Sequence, residues 1–408
     1  MKLWQQVLIG LILGIIAGIV LGEKAAGLKI FGTVFINLIK MIIVPLIFFA
    51  LLSGITSMHG QGNFTRVSLK GFSAYILTAV FAVLIGLSAG IIFHPGSGVD
   101  LHAILDTSSQ PQALVAKTPP SISEFLLNLI PTNPINAMAN DNFLQIIIFS
   151  IFTGVVINML GDKSKPLKEV IFSASQVFFK MIEIIIKLAP LGVFGFISWV
   201  IGTQGMDILT ALAKLIVAVL TACAFQYVVF GVMILVFARM SPLPFYRKIL
   251  MTQSIAFATS SSKATLSTAM EQLQSRMGVS KTNSNFLMPL GVCINMDGTA
   301  IYLGICALFF AQAYGIDLTT HNYMMLVLTC TLGSIGAAGI PSGSIIFMGM
   351  VLSSVGLPIE GIGIILGVDR ILDMVRTTIN ITGDSAITLI VDKTEGALDE
   401  KIYHSKKR

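Results

Sequence analysis

Apolar runs of membrane-spanning length follow one another along nearly the whole chain, separated by short polar connections. A helix needs about 20 apolar residues to cross a bilayer, and the runs at 4–22, 29–57, 71–94, 142–161, 167–201, 206–239 and 284–314 predict seven such helices. Two further regions, 245–275 and 323–357, are apolar but broken at their centres. Ser260, Ser261 and Ser262 interrupt the first, and the run Gly339-Ile340-Pro341-Ser342-Gly343-Ser344 interrupts the second. Neither arm of either region is long enough to span, so each predicts a re-entrant hairpin. An eighth helix begins at 361. The long polar connection, 95–141, carries Pro95, Pro111, Pro119, Pro120, Pro131 and Pro134 and predicts an extramembrane segment whose short helices lead into the fourth span.

The last run, Gly361 to Val391, breaks the apolar rule in an ordered way. It holds Asp369, Arg370, Asp373, Arg376 and Asp384, with Thr377 and Asn380 between them. Steps of four, three, four and four residues join Asp369, Asp373, Arg376, Asn380 and Asp384, which places them on one helix face. An ionised group near the membrane centre costs about 2.5–3.5 kcal/mol on insertion scales. A stripe of this kind must face protein or water, not lipid. One or two ion pairs would serve to hold helices together; five polar positions in line suit a site for a charged solute and cations.

Composition agrees. The 408 residues are 55% hydrophobic and 11% charged, and the mean hydropathy is +0.87. Soluble domains carry about twice that share of charge. The net charge of +6 is no nucleic-acid signal, because Lys and Arg sit in short connections between apolar runs. Cys223, Cys293, Cys306 and Cys330 lie in apolar stretches without metal-site spacing and read as buried thiols. With the N-terminus inside, the inner connections hold Arg66 and Lys70; Lys163, Lys165 and Lys168; Arg239, Arg247 and Lys248; Arg276 and Lys281; and the tail Lys393, Lys401, Lys406, Lys407 and Arg408. The outer ones hold Lys24, Lys29 and Lys117. That asymmetry obeys the positive-inside rule only if the first hairpin opens inward and the second outward.

Two hairpins of opposite orientation meeting at the midplane point to an inverted-repeat transporter. Free amides at their tips can hold a carboxylate, and free carbonyls a cation. Gly/Ser-rich packing helices offer a plainer account, which the loop charges oppose. Within 284–314, the run Asn295-Met296-Asp297-Gly298-Thr299 predicts an unwound helix centre whose oxygen ligands suit a hard monovalent cation.

On these pieces the chain resembles the glutamate transporter homologue family, the dicarboxylate/amino acid:cation symporters. The resemblance rests on Thr259-Ser260-Ser261-Ser262, on 295–299, on Gly339-Ile340-Pro341-Ser342-Gly343 and on DMVRTTINITGD at 373–384. It implies a homotrimer in the bilayer of a prokaryotic cell (inner) membrane, with both termini cytoplasmic. It also implies an elevator-type division of the chain. Scaffold helices fall at 1–70, helix 3 of the transport domain at 71–94, the extracellular connection and scaffold helices 4–5 at 95–201, the rest of the transport domain at 202–393, and a basic tail at 394–408. Under the resemblance, Arg376 pairs with the substrate's side-chain carboxylate and Asp373 with its α-ammonium. Asn380 and the amides around Ser260, Ser261 and Ser262 hold the α-carboxylate. Thr299, Thr377 and the backbone of Ile340, Pro341, Ser342, Gly343 and Ser344 complete the pocket. One sodium falls to Asp384, Gly291, Asn295 and Asn380, another to Tyr75, Thr78, Asn295 and Asp297, and a third to the carbonyls of Cys293, Ser334, Ile335 and Ala337. An Arg and an Asp one turn apart suit a zwitterion with an extra carboxylate, such as aspartate or glutamate; succinate would leave Asp373 unpaired. The alternative substrate is nonetheless a C4-dicarboxylate, coupled to protons or sodium.

Several positions depart from the family pattern. Lys263 replaces a small residue after the Ser cluster and could attract anions, act as a gate, or pair with an acid such as Asp369. Ser267 stands for a usual Pro, Ala79 for a hydroxyl at one sodium site, and Ser260 and Met374 where relatives place an arginine. Leu303 stands where proton-coupled members have Glu, which favours sodium coupling alone. A membrane hydrolase is the rival class, because Ser260-Ser261-Ser262-Lys263 has the S-x-x-K spacing of a Ser–Lys nucleophile pair; a passive anion channel is a third reading, which leaves the buried acids without a purpose.

Overall fold

The computed structural model describes residues 3–56, 65–99, 101, 127, 130–140, 142–205, 207–336 and 343–405. Among them the chain is all helical. Helix α1 (Leu3–Leu21) passes through a 3-10 turn (Gly22–Leu28) into α2 (Lys29–Thr56). The direction changes at Gly22, whose φ of 52° lies in the left-handed region that favours glycine. There follow α3 (Thr65–Phe93), the short α4 (Pro134–Ala139), α5 (Phe143–Met159), α6 (Lys165–Ile186), α7 (Ala189–Gln204) and α8 (Asp207–Met233). Among the described residues, four stretches are long and apolar enough to cross a membrane, or five with α6 and α7 as one bent span. The protein is a multi-pass membrane protein.

The expected single span over 167–201 is instead α6 and α7, bent by 49°. Pro190, in the first turn of α7, has no N–H to continue the helix across the break.

Both interrupted regions fold as antiparallel helix pairs. The first is α9 (Leu243–Thr259) and α10 (Ser262–Met277). The second is α13 (Thr320–Gly336) and α14 (Gly343–Ser354); its tip, including Ala337, Ile340, Pro341 and Ser342, lies outside the described residues. Between the pairs run α11 (Lys281–Ile294) and α12 (Asp297–Ala313), and after them α15 (Ile362–Thr394) and α16 (Glu400–His404).

The helices pack as two groups. In one, α1 lies on α7, and α2 on α5, α6 and α7. Gly10, Gly14 and Gly18 recur every four residues on α1, where a Cβ would press on Pro190, Phe194 and Ser198 of α7. In the other group α3 lies on α12, and α15 is flanked by α8, α9, α10, α11 and α12. The outward faces of the first group remain apolar and exposed, as at Ile12, Ile16, Phe152 and Phe172. The two groups meet where the start of α15 lies on α7 and α1, with Gly363 against Phe196 and Gly367 against Leu11, and an ion pair between Lys40 of α2 and Glu360, just before α15, adds to that contact at 3.0 Å.

Candidate functional site

The central helix 281–313 breaks at two residues. Pro289 already removes one hydrogen bond from the last turns of α11. Asn295 (φ −105°, ψ 93°) and Met296 (φ −119°, ψ 58°) then leave helical geometry before α12 starts at Asp297. Gly298, read from the sequence as part of the unwound centre, lies inside α12. Its lack of a side chain serves a close approach, since a Cβ would stand 2.8 Å from Arg376 Cα.

Around the break lies a buried oxygen-rich cluster. Thr78 Oγ1 donates to Asn295 Oδ1 (3.1 Å), and Asn295 Nδ2 donates to Asp384 Oδ1 (3.0 Å). Tyr75 donates its hydroxyl to the Leu287 carbonyl and lies 3.3 Å from the Thr388 hydroxyl. Gly291 leaves room at the same place, because a Cβ there would meet Asp384 Oδ1 and the Tyr75 hydroxyl, each at 2.8 Å. Gln226 of α8 donates to Asp297 Oδ2 at 3.1 Å. Asp297 Oδ1 and Asp384 Oδ2 are buried with no partner. Two carboxylates among hydroxyls, amides and carbonyls make the donor set of a hard cation. Tyr75, Thr78, Gly291, Asn295, Asp297 and Asp384 thus come together.

Asn380 turns the other way. Its Oδ1 accepts from Gly298 N at 2.7 Å, and its Nδ2 reaches Met296 Sδ (3.2 Å) and Thr299 Oγ1 (3.4 Å). Of the third cation set, Cys293 and Ile335 line one cavity, and Ser334 is buried with its hydroxyl on the Thr331 carbonyl.

The polar stripe predicted on the last helix forms on α15, with Asp369, Asp373, Arg376, Thr377, Asn380 and Asp384 all buried. Arg376 Nη2 donates to Asp369 Oδ1 (2.9 Å), Asp373 Oδ1 (3.0 Å) and Ser344 Oγ of α14 (2.8 Å). Its guanidinium carbon lies 3.9 Å over the Tyr302 ring, a cation–π arrangement. Nε and Nη1 are buried and have no acceptor. Arg370 approaches the other oxygen of Asp373 at 3.4 Å. Arg376 therefore reaches the second hairpin while holding both acids of its own helix.

The first hairpin turns at Ser260, a left-handed residue (φ 50°) whose N–H closes on the Ala256 carbonyl at 2.8 Å. Ser261 caps α10, its hydroxyl accepting from Ala264 N at 3.2 Å. The hydroxyls of Ser260 and Ser262 are buried without partners. Gln253 of α9 donates to Thr382 at 3.0 Å and pins this hairpin to α15. Because Ser260 sits in the turn, the helical i, i+3 alignment required of a Ser–Lys pair is absent. Lys263 points away from the stripe, its Nζ 4.9 Å from the Phe179 ring of α6. Asp369 is held by Arg376 instead.

Sequence reasoning missed Gln226, a single amide within an apolar run. It also missed Asp392, which accepts from Ser280 N, Ser280 Oγ and Asn283 Nδ2 and so ties the end of α15 to the start of α11.

The family model described as "Sodium:dicarboxylate symporter family" matches residues 3–394. The chain belongs to the sodium:dicarboxylate symporter family. This symporter is 34% identical over 399 residues to the proton/sodium-glutamate symport protein of Bacillus subtilis, covering 96% of this chain and 92% of that one. It is 35% identical over 400 residues to the C4-dicarboxylate transport protein of Rhodospirillum rubrum, covering 97% and 89%. The C4-dicarboxylate transport protein of Bacillus subtilis is 33% identical over 408 residues, covering 98% and 96%. The symporter is a transporter and not an enzyme, and its relatives divide between the two substrate names.

Proposed function

We propose that the protein is a sodium-driven importer of L-aspartate or L-glutamate in the cell (inner) membrane, working as a homotrimer by an elevator movement. The observation that carries this reading is Arg376. Its guanidinium is fully buried, anchored through one nitrogen, and has Nε and Nη1 unpartnered next to the second hairpin. A carboxylate brought there gains charge-assisted hydrogen bonds. Asp373, one turn away, suits an α-ammonium. The unpartnered Ser260 and Ser262 hydroxyls, with the amides beside them, suit the α-carboxylate. Sodium is cargo, received by the cluster around Asn295, where Asp297 and Asp384 each keep a free oxygen. The two packing groups support a fixed scaffold (α1, α2, α5, α6, α7) and a sliding unit made of the remaining long helices. The exposed apolar faces of the first suit lipid or neighbouring protomers.

A C4-dicarboxylate is the second reading. Arg370 and Arg376 both reach Asp373, so that acid is not left bare when no ammonium is present.

Uptake of labelled aspartate, glutamate and succinate into proteoliposomes, with sodium and pH varied separately, tests both. Aspartate or glutamate should accumulate only with an inward sodium gradient, at a rate indifferent to a proton gradient. Succinate accumulation without amino acid uptake would overturn the proposal in favour of the second reading.

A further inference from the structure

Arg370 is the cation on α15 to which the substrate pocket assigns no ligand. It stands one turn before Asp373, and its side chain is mostly buried. The two oxygens of Asp373 are held unequally. Oδ1 accepts from Arg376 Nη2 at 3.0 Å, while Oδ2 accepts from Arg370 Nη1 at 3.4 Å, near the outer limit of a hydrogen bond. Arg376 is fastened elsewhere as well, to Asp369, to Ser344 and over the Tyr302 ring. Among the described residues Arg370 has Asp373 as its ion-pair partner, and its Nε is buried without an acceptor. Of the two bonds to Asp373, the one from Arg370 is therefore the easier to exchange. Beside it lies a small space of about 20 Å³, lined by Asp369 and Arg370 and, from the first helix group, by Val7, Phe35 and Ile186. That is room for one water. The Oδ2 of Asp369 has no partner.

We propose that Arg370 is a specificity-determining residue. It keeps the place of the substrate's α-ammonium on Asp373 Oδ2 before cargo arrives or while a plain dicarboxylate is bound, and it yields that oxygen to an amino acid. The proposal deepens the reading of the Arg376 pocket and rests on it. An ammonium is compact, carries three donors and closes to about 2.7–2.9 Å on a carboxylate, whereas Arg370 reaches the same oxygen from its own helix at 3.4 Å. The released guanidinium turns toward the space it shares with Asp369 and pairs with Oδ2 there, directly or through a water. Two opposite consequences follow for substrates. An amino acid must displace Arg370, so its apparent affinity falls with the fraction of time the guanidinium holds the oxygen. A dicarboxylate displaces nothing, and the retained Arg370 shields its carboxylates from the charge of Asp373. Aspartate and succinate differ by the amino group alone, so that pair isolates the effect.

Binding of labelled L-aspartate and labelled succinate is measured on the purified full-length protein in nanodiscs at saturating sodium, for the wild type and for Arg370→Gln. Aspartate should bind the variant about fivefold more tightly and succinate about fivefold more weakly, the scale of a partly exposed ion pair, so their ratio moves by about 25-fold. Damage to packing alone would weaken both ligands together. Arg370→Met, which keeps the apolar stem and drops the charge, carries the same expectation and replaces Arg370→Gln if that variant folds poorly. In an Asp373→Asn background, Arg370→Gln should leave the ratio where it is, because the arginine acts through that acid. An unmoved ratio in the folded single variant, or an equal shift in the Asp373→Asn background, would overturn the inference. Should the wild type bind succinate and not aspartate, the amino acid reading of the pocket fails. The shielding by Arg370 is still tested there: Arg370→Gln should weaken succinate, and unchanged succinate binding would overturn the inference too.

Discussion

Two buried polar clusters share helix α15, and they solve the problem of charge in opposite ways. Around Arg376 the chain balances itself: Asp369 and Asp373 face Arg370 and Arg376. Eight positions further along, about 12 Å at the helical rise, Asp384 and its neighbour Asp297 face amides and hydroxyls, with no basic residue in ion-pair reach among the described residues. Buried charge is costly unless paired. The first cluster can therefore stand without cargo, holding its donors in readiness. Under the proposed function, the second would be completed by cations arriving from solution. Sodium-linked transport would then have a physical order, with the cations neutralising their acids next to a pocket that is already neutral.

The largest effect should come from the balanced side. Arg376→Ala leaves Asp369 and Asp373 without their shared cation, and losing one partner of a buried pair costs about 3–5 kcal/mol. Uptake of acidic amino acids should fall by about a hundredfold or more, measured in proteoliposomes alongside thermal unfolding. Aspartate uptake at the normal rate would remove Arg376 from the site. Next comes the unbalanced side. Asp384→Asn removes one of its two charges, and the sodium concentration for half-maximal uptake should rise about 10–100-fold, as loss of a charged ligand predicts. Stabilisation of the purified protein by sodium should weaken with it. If sodium dependence is untouched, the cluster does not hold the coupling ion. The smallest effect sharpens the boundary between the two. Gln226→Leu strips one donor from Asp297, worth about 1 kcal/mol or roughly fivefold in sodium affinity. Substrate half-saturation at saturating sodium should not change; a shift there would mean that the clusters are not separable.

The long apolar runs and their two central breaks were legible because a membrane enforces length and punishes a stray Ser cluster or Gly-Pro. The α15 stripe was legible because its spacing follows the helix turn. Less was visible where one residue carries the signal. Pro190 alone marked the bend between α6 and α7. Gln226 has no periodic companions, and only the packing of α8 on α15 and α12 brings it to Asp297. The direction of Lys263 depended on how the turn at Ser260 aims the start of α10, which spacing does not encode. Gly298 was recognised as special for the wrong reason: contact with the Arg376 backbone, not unwinding, accounts for it.

Under the proposed elevator movement, the pair between Lys40 and Glu360 would serve as an index mark on a ruler. Lys29, whose ammonium rests over the Trp199 ring at 4.2 Å, precedes Lys40 by eleven positions on α2. Eleven residues are close to three whole turns, so the two lysines point the same way about 16 Å apart. Were the second helix group to travel along α2, Glu360 would leave one notch and meet the other without rotating. The distance between two like charges on a stationary rod would then set the stroke.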